Sequence, residues 1–410
     1  HQRSIQCYPI RPSGALLSMD KQEPRYSAQF LESLSLLGAS KWNGLTGTEN
    51  PFTRYEFLYE LERTGCTTEG TGWQPYHLAL YEGDPAGTEE TSPLAVMPLY
   101  RKTNSWGEYV FDWSWANAYQ SHGYDYYPKL VTAAPFTPSH GQRIFVADGL
   151  DRDAILSVIV EKLIEKATSL DLSSWHVLFP QREESASLTR LGLKSRIATQ
   201  FHWYNRDYRS FPDFLEKLSS RKRKSIKRER RQVQEQGFQF SITEGSEISD
   251  QQWAEFYRFY QSTYLVRGMQ GYLKESFFRG LAQSMPEQIL MINARLAGKN
   301  TAAALFFKNS EKLFGRYWGS LADHQFLHFE TCYYQGQEYA IANELQLFDS
   351  GAQGEHKIQR GFEPILTYSN HWIGNEGFSL AIDRFLQEER VHVESYRDEA
   401  RGLLPFRQED

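Results

Sequence analysis

The sequence predicts an α/β chain of the α+β kind, written twice, each copy a mixed, mainly antiparallel sheet flanked by helices. Three observations predict it. The second half runs helix, three meandering strands, helix, strand, strand; the first half repeats that order; and a set of residues recurs at one spacing. Phe179, Gly192, His202 and Trp203 return 169 residues later as Phe348, Gly361, His371 and Trp372. Identities at one offset, inside one element order, point to duplication. A meander followed by a helix and a further strand gives a mixed sheet with helices on its faces.

The elements follow from local pattern. In the first copy, residues 57–64 have helical spacing, and 76–81, 94–101 and 107–113 read as strands. Residues 151–171 read as a helix, with strands at 175–179 and 195–204. Residues 116–149 form a long irregular insert holding Tyr124, Tyr126, Tyr127, Pro135 and Pro138. A loop of that length in a compact domain is functional or mobile, and this one could wall a groove. In the second copy, Trp253, Phe256, Tyr257, Tyr260 and Tyr264 mark a helix over 253–267. Strands at 288–296, 301–308 and 312–321 are separated by turns at Gly298-Lys299-Asn300 and Asn309-Ser310-Glu311. A helix over 326–344 precedes strands at 345–350 and 365–372. The units so bounded are a polar tail over 1–27, a first copy over 28–205, a second over 206–385 and a C-terminal tail over 386–410.

Composition bounds the class. At 410 residues there is room for two domains, each with a core, and 40% apolar with 15% aromatic residues fits a globular chain. No apolar run reaches the length of a membrane span; the longest, 288–307, is broken by Asn293, Arg295 and Lys299. Residues 1–20 lack the order of a signal peptide, and Met19 offers an alternative start. Cys7, Cys66 and Cys332 are odd in number and widely spaced, which predicts reduced thiols and a cytoplasmic protein. A net charge of −6 excludes a global attraction to nucleic acid.

Three segments carry chemistry. The first, 219–231, holds eight cations and one acid, with Arg221, Lys222, Arg223 and Lys224 at its head. On a helix, Leu218, Ile226 and Val233 leave only a narrow apolar seam, so most cations face outward and call for an anion, a phosphorylated donor. The second enters the helix at 326–344, where His328 and Glu330 stand near unpaired N–H groups. The third brackets Gln353, Glu355, His356, Lys357 and Arg360 with glycines at a strand end, where α/β sheets present catalytic groups. A His–Glu pair beside cations supplies a base and an anion clamp. His328, His356 and His371 lack any recurrent ligand spacing, so no metal is expected. Cys332, mid-helix among aromatics, reads as packed and inert. The positions 169 residues before Gly354, Glu355 and His356 are Ser185, Ala186 and Ser187, so the polar cluster exists in one copy only.

Longer motifs add a resemblance. Asn50-Pro51-Phe52, Gly72-Trp73-Gln74-Pro75, Pro98-Leu99-Tyr100, the run from Gly107 to Asp112, Tyr126-Tyr127-Pro128-Lys129-Leu130 and Pro135-Phe136-Thr137-Pro138 resemble the FemAB-like family. So do Leu218 to Lys224, Phe326 to Glu330 and Gly351 to Lys357. The family is a branch of the GNAT superfamily, labelled peptidoglycan biosynthesis or recognition, or N-acyltransferase, and the likeness covers residues 50–374.

The resemblance implies tandem GNAT-like domains and transfer of an acyl group from an activated donor, acyl-CoA or an acyl carrier, to an amine of a peptide or small molecule. It implies Glu355 or His356 as base, His328 and Glu330 orienting the acceptor, and Lys357, Arg360 and the cations from Arg221 to Lys224 on donor phosphates. Tyr333, Tyr334, Gln353, Trp318 and Tyr126 are expected at the substrate. The glycine loop that cradles coenzyme A pyrophosphate in GNAT proteins is absent, replaced by Ala322-Asp323-His324-Gln325-Phe326-Leu327. Fem aminoacyltransferases share a Lys/Arg-rich helix and draw on aminoacyl-tRNA, so a tRNA donor is the rival among enzymes. A module that binds a peptide or cell-wall fragment without turnover is the rival outside them.

Overall fold

The computed structural model describes residues 25–84, 91–352 and 354–407. The expectations placed on Cys7, Met19, most of the N-terminal tail and Gln353 fall outside those residues.

The frame is an eleven-stranded mixed sheet. From one edge it runs Gln239–Glu244, Ile289–Leu296, Lys299–Lys308, Lys312–Ser320 and Leu347–Asp349. It continues through Lys194–Tyr204, Glu363–Ile373, Ser174–Leu178, Lys129–Thr132, Tyr100–Lys102 and Trp73–Pro75. A four-stranded sheet of Tyr26–Leu31, His77–Glu82, Ala95–Met97 and Phe145–Val146 sits beside it. Most pairings are antiparallel, and helices cover the faces, as the sequence predicts.

The repeat is visible in the middle of the sheet. Strands Lys194–Tyr204 and Glu363–Ile373 lie 169 residues apart and pair antiparallel with each other. Glu363 faces His202, and its counterpart pair, Lys194 and His371, faces in the same way. A two-fold relation between copies requires that symmetry of register. Each of these strands also pairs with the opposite half: Lys194–Tyr204 with Leu347–Asp349, and Glu363–Ile373 with Ser174–Leu178. The largest apolar cluster likewise draws on both halves, with Phe52 and Phe57 packed against Phe307 and Phe277.

Local chemistry explains the second-copy elements. Ser249 and Gln252 form a capping box that starts the helix Asp250–Leu265. The first hairpin turns at Ala297 and Gly298, both at positive φ, one residue earlier than the sequence predicts. At the second turn, Asn309 Oδ1 accepts from the backbone N–H of Glu311 and Lys312. The crossover helix Gln335–Ala342 then carries the chain back so that Leu347–Asp349 runs parallel to Lys312–Ser320. Gly336 permits this packing, since a Cβ there would stand 2.6 Å from the Phe348 ring.

Three expectations are corrected. Residues 107–113 are not a strand; they form a loop leading into the helix Trp113–Ser121, and the strand that follows Tyr100–Lys102 is Lys129–Thr132. The supposed irregular insert therefore carries most of that helix and two strands, Lys129–Thr132 and Phe145–Val146. The C-terminal tail over 386–410 is largely the end of a 27-residue helix, Glu376–Gly402, which lies along the two exchanged strands and buries Ile382, Leu386 and Ala400. Among the described residues, no helix is long and apolar enough to cross a membrane.

Candidate active site

Two parallel strands part in the second copy. Lys312–Ser320 pairs with Leu347–Asp349 only from Lys312 to Phe314. On its other side, the register against Lys299–Lys308 shifts between Leu305 and Phe306, which leaves Arg316 as an extra, bulged residue. The bulge bends the strand away from its parallel neighbour, and a cavity of about 120 Å³ opens between them. Trp318, His328, Cys332, Tyr333 and Ser350 line it. Ser350 Oγ is buried there without a hydrogen-bond partner among the described residues.

An ion pair closes the base of the opening. Arg316 reaches Asp349 at 2.7 Å, with both side chains buried, and donates to Thr137 Oγ1 at 2.6 Å. Thr137 comes from the first copy, whose insert thus reaches the second copy's site. The Arg316 guanidinium holds the buried Asp349 carboxyl far below the usual range, with His202 at 3.8 Å adding to the effect.

His328 stands in the first turn of the helix that leads away from the bulged strand. Its ring packs against Trp318, Tyr333 and His356, at centroid distances of 5.4, 5.3 and 6.2 Å. No hydrogen bond to its ring nitrogens is found among the described residues. Burial, helped by His356, Lys357 and Arg360, lowers its pKa to about 4, so the imidazole is neutral near pH 7. A π turn over Glu330–Tyr334 follows, and its wider spacing brings Tyr333, five residues on, over the His328 ring.

Glu330 lies elsewhere. Two steps along a helix rotate a side chain by about 200°, so it cannot share the His328 face. It is buried and held by Arg230 of the basic helix at 2.7 Å and by Gln335. Tyr334 also turns to that side, where its hydroxyl bonds Glu229. Neither touches the cavity.

The glycine-bracketed segment divides as well. His356 Nε2 lies 2.8 Å from the Tyr333 hydroxyl, and partial burial with Arg360 and Lys357 lowers its pKa to about 4. Gly354, at φ 120°, makes room for it: a Cβ would stand 2.5 Å from the ring. Lys357 is buried and donates to the carbonyls of Ser350 and Gly351, fixing the loop that carries Ser350; burial lowers its pKa to about 8. Arg360 stacks 3.6 Å over Phe329 and pairs with Glu229 at 2.9 Å. Glu355 is exposed and accepts from Tyr396. Cys332 lines the cavity, but burial pushes its thiol far up, which keeps it protonated.

The basic segment is the helix Ser220–Glu235. Ile226, Glu229 and Val233 face inward, and Arg230 is committed to Glu330 and Glu338. Lys222 bonds Gln359. Arg221, Arg223, Lys224, Lys227 and Arg228 have no side-chain partner among the described residues, and Arg231 has only an exposed contact to Glu235. These fall on one outward face.

The cavity shares the lining residues Arg316, Tyr317 and Trp318 with a larger one, the mouth, of about 420 Å³. Residues 105–113 form one wall. Tyr109, at φ 60°, and Phe111 point to the mouth, while Glu108 and Asp112 point into the protein. There Lys129 binds Glu108 at 2.8 Å and Asp112 at 2.5 Å, with Lys102 stacked 3.6 Å over Trp73. Tyr126 belongs to this buried cluster, bonded to Asp112 and His176, and does not reach the mouth. A second groove of about 400 Å³ continues from Tyr109 and Phe111 along the exchanged strands and under the C-terminal helix.

Of the expected substrate residues, Trp318 and Tyr333 meet at the cavity. Sequence reasoning missed Arg316, Asp349 and Ser350 as a set, and the wall at 105–113. Asp349 and Ser350 stood beside the quoted glycines, but the bulge that selects Arg316 has no local signature.

The family described as FemAB-like, peptidoglycan biosynthesis/recognition, matches residues 33–408. No curated protein matches the sequence. Among solved structures, FemX aligns over 87% of this chain and 100% of its own, with 12% identity and a TM-score of 0.51. A tandem GNAT protein from the clavulanic acid biosynthesis pathway covers 85% and 99%, at 10% identity and TM-score 0.44. L-PGS from Bacillus licheniformis covers 72% and 87%, at 10% identity and TM-score 0.44. The likeness to FemX is one of fold.

Proposed function

The chain belongs to the FemAB-like family of acyltransferases, and from that membership we propose that it joins an acyl group to an amine at the cavity between the parted strands. The observation that carries the reading is the cavity itself. It combines a neutral His328 and a Ser350 hydroxyl without a partner among the described residues, and it borders a larger cavity with room for a second substrate.

In this reading the donor's carbonyl enters the cavity and the acceptor arrives through the aromatic mouth. The neutral amine nitrogen attacks the carbonyl carbon and a C–N bond forms. The nitrogen, now positively charged and far more acidic, gives its proton to His328. The carbonyl then reforms, and the bond to the donor's oxygen or sulfur breaks with the electron pair leaving on that atom. Ser350 Oγ–H can donate to the oxyanion in between. His356, through the Tyr333 hydroxyl, positions the ring that packs on His328. Burial of His328 suits it to accept a proton from the intermediate and not from a free ammonium ion.

The finer reading concerns the donor. Six cations, from Arg221 to Arg231, line one face of the helix over about 15 Å at 1.5 Å per residue. A single pyrophosphate needs fewer and closer charges, and a face of that length suits successive phosphates along an RNA strand. An aminoacyl ester of tRNA is therefore the donor this surface supports best, and acyl-CoA is the competing outcome.

The test is reconstitution with a panel of amines and either aminoacyl-tRNA or acyl-CoA, reading the amide by mass spectrometry. Product that depends on the tRNA and vanishes on ribonuclease treatment supports the reading. Product from acyl-CoA alone refutes the donor assignment, and no amide from either donor refutes the transfer reaction.

A further inference from the structure

We infer that the mouth selects an amine acceptor bearing an acidic group at the far end of an apolar or aromatic body, and that Arg267 reads that acid. The inference rests on the acyl-transfer reading, because it takes the mouth as the acceptor's route to the cavity.

The composition of the lining carries the argument. Nine of its fifteen residues are aromatic and none is acidic. Trp106, Tyr109, Phe111 and Trp113 form one side, and Tyr264 and Tyr272 the other. Such walls bind flat or apolar groups by burial and ring contact. Only two side chains in the lining are charged, Arg267 and Arg316. Arg316 is neutralised by Asp349. Arg267 is exposed at the end of the helix Asp250–Leu265 and makes no side-chain hydrogen bond or ion pair among the described residues.

A lone cation above an acid-free aromatic well discriminates by charge. An acceptor with a second ammonium group would meet repulsion at the rim and no acid inside to offset it. An acceptor with a carboxylate or phosphate would gain a charge-assisted, bidentate contact from the guanidinium. The amine would then point away from Arg267 toward Tyr317 and Trp318, the residues shared with the cavity. The wall is built to hold its shape: the buried Lys129 anchors Glu108 and Asp112 on alternate positions of the same loop that presents Tyr109 and Phe111.

Trp106, Trp113 and Trp318 make binding visible by intrinsic fluorescence. The full chain is titrated, without any donor, with the dipeptide phenylalanyl-phenylalanine, its C-terminal amide and its phosphonate analogue. The acid should bind about tenfold more tightly than the amide, a difference of about 1.4 kcal/mol. Arg267→Gln, an exposed substitution, should weaken the acid and the phosphonate about tenfold and leave the amide unchanged. The ratio of phosphonate to carboxylate affinity then tells which acid the site prefers. Equal affinity of acid and amide for the unmodified chain, or equal weakening of all three probes by Arg267→Gln, overturns the inference. Because no turnover is read, failure of the acyl-transfer reading would leave this charge preference intact. Conversely, acid and amide acylated with the same kcat/KM would overturn the assigned route and leave the reaction standing.

Discussion

Arg316 and Asp349 meet at 2.7 Å where their two parallel strands stop pairing, both side chains buried. The pair explains how the strands can part without exposing a ragged edge. The bulge turns Arg316 across the gap, and Asp349 neutralises it while also accepting from the backbone N–H of Gly351. The strand that leaves, and the loop that carries Ser350, are therefore fixed by one buried contact.

Removing one partner leaves the other charged and buried. Asp349→Asn or Arg316→Met should each cost about 3–5 kcal/mol. The double replacement Arg316→Met with Asp349→Leu should cost less than the sum, because neither charge remains. Denaturant unfolding of the three variants checks this. Additive losses would mean that the two residues do not act as a pair.

His328 and Glu330 separate by role. His328→Gln should lower kcat by about 10²–10⁴ while the chain stays folded. Glu330→Gln should leave kcat within a few-fold but loosen the basic helix, because Arg230 loses one of the two acids that hold it. Single-turnover rates with circular dichroism on the same samples measure both. A kcat loss for Glu330→Gln as large as for His328→Gln would contradict the division of faces.

Acid should destabilise the fold before the carboxylates titrate. Burial holds His202 at about 4 against an ordinary 6.5, with Asp349 opposing and Arg316, Lys357 and Lys312 reinforcing the effect. His328 and His140 are lowered to about 4 for the same first reason. Between pH 6.5 and 4 the unfolded chain takes up protons that the folded chain refuses, so stability falls as pH falls. Each fully buried site contributes up to about 3 kcal/mol across that window. Asp349, held low in the fold, adds its loss only further down, below the ordinary carboxylate value. His202→Gln should flatten the decline between pH 6.5 and 4, read as denaturation midpoint against pH. An unchanged slope would show that His202 is not neutral in the fold.

What the sequence made legible was local and contiguous. His328, Tyr333 and His356 stood in quoted segments because helix starts and glycine-flanked turns have short-range signatures. Residues separated by one turn or one strand end could be grouped from order alone. The Arg316–Asp349 pair could not, since a bulge depends on how the neighbouring strand registers. The exchange of Lys194–Tyr204 and Glu363–Ile373 was hidden for the same reason: the repeat spacing marks the strands but not their partners. Residues 107–113 resembled a strand because aromatic and β-branched side chains are concentrated there. Its two acids, Glu108 and Asp112, instead reach Lys129 beneath a loop. Glu330 and Arg360 looked like site residues by type, and burial shows them spent on Arg230 and Glu229.

The outward face of the basic helix gives the last prediction. Lys224 and Arg228 are exposed, four residues apart and without partners among the described residues, so changing them should not disturb packing. If the face tracks a polyanion, each cation that meets a phosphate releases about one counterion, and affinity falls with salt accordingly. Lys224→Gln with Arg228→Gln should weaken binding of bulk tRNA and reduce the slope of log affinity against log salt by about 2. Arg230 provides the internal control. It points inward to Glu330 and Glu338, so Arg230→Gln should lower stability while leaving the salt slope nearly unchanged. Filter binding or fluorescence anisotropy over a salt series, alongside thermal unfolding, separates the two. A slope that does not change in the Lys224/Arg228 variant would show that the outward cations hold no polyanion, and would leave the donor to be sought among smaller phosphates.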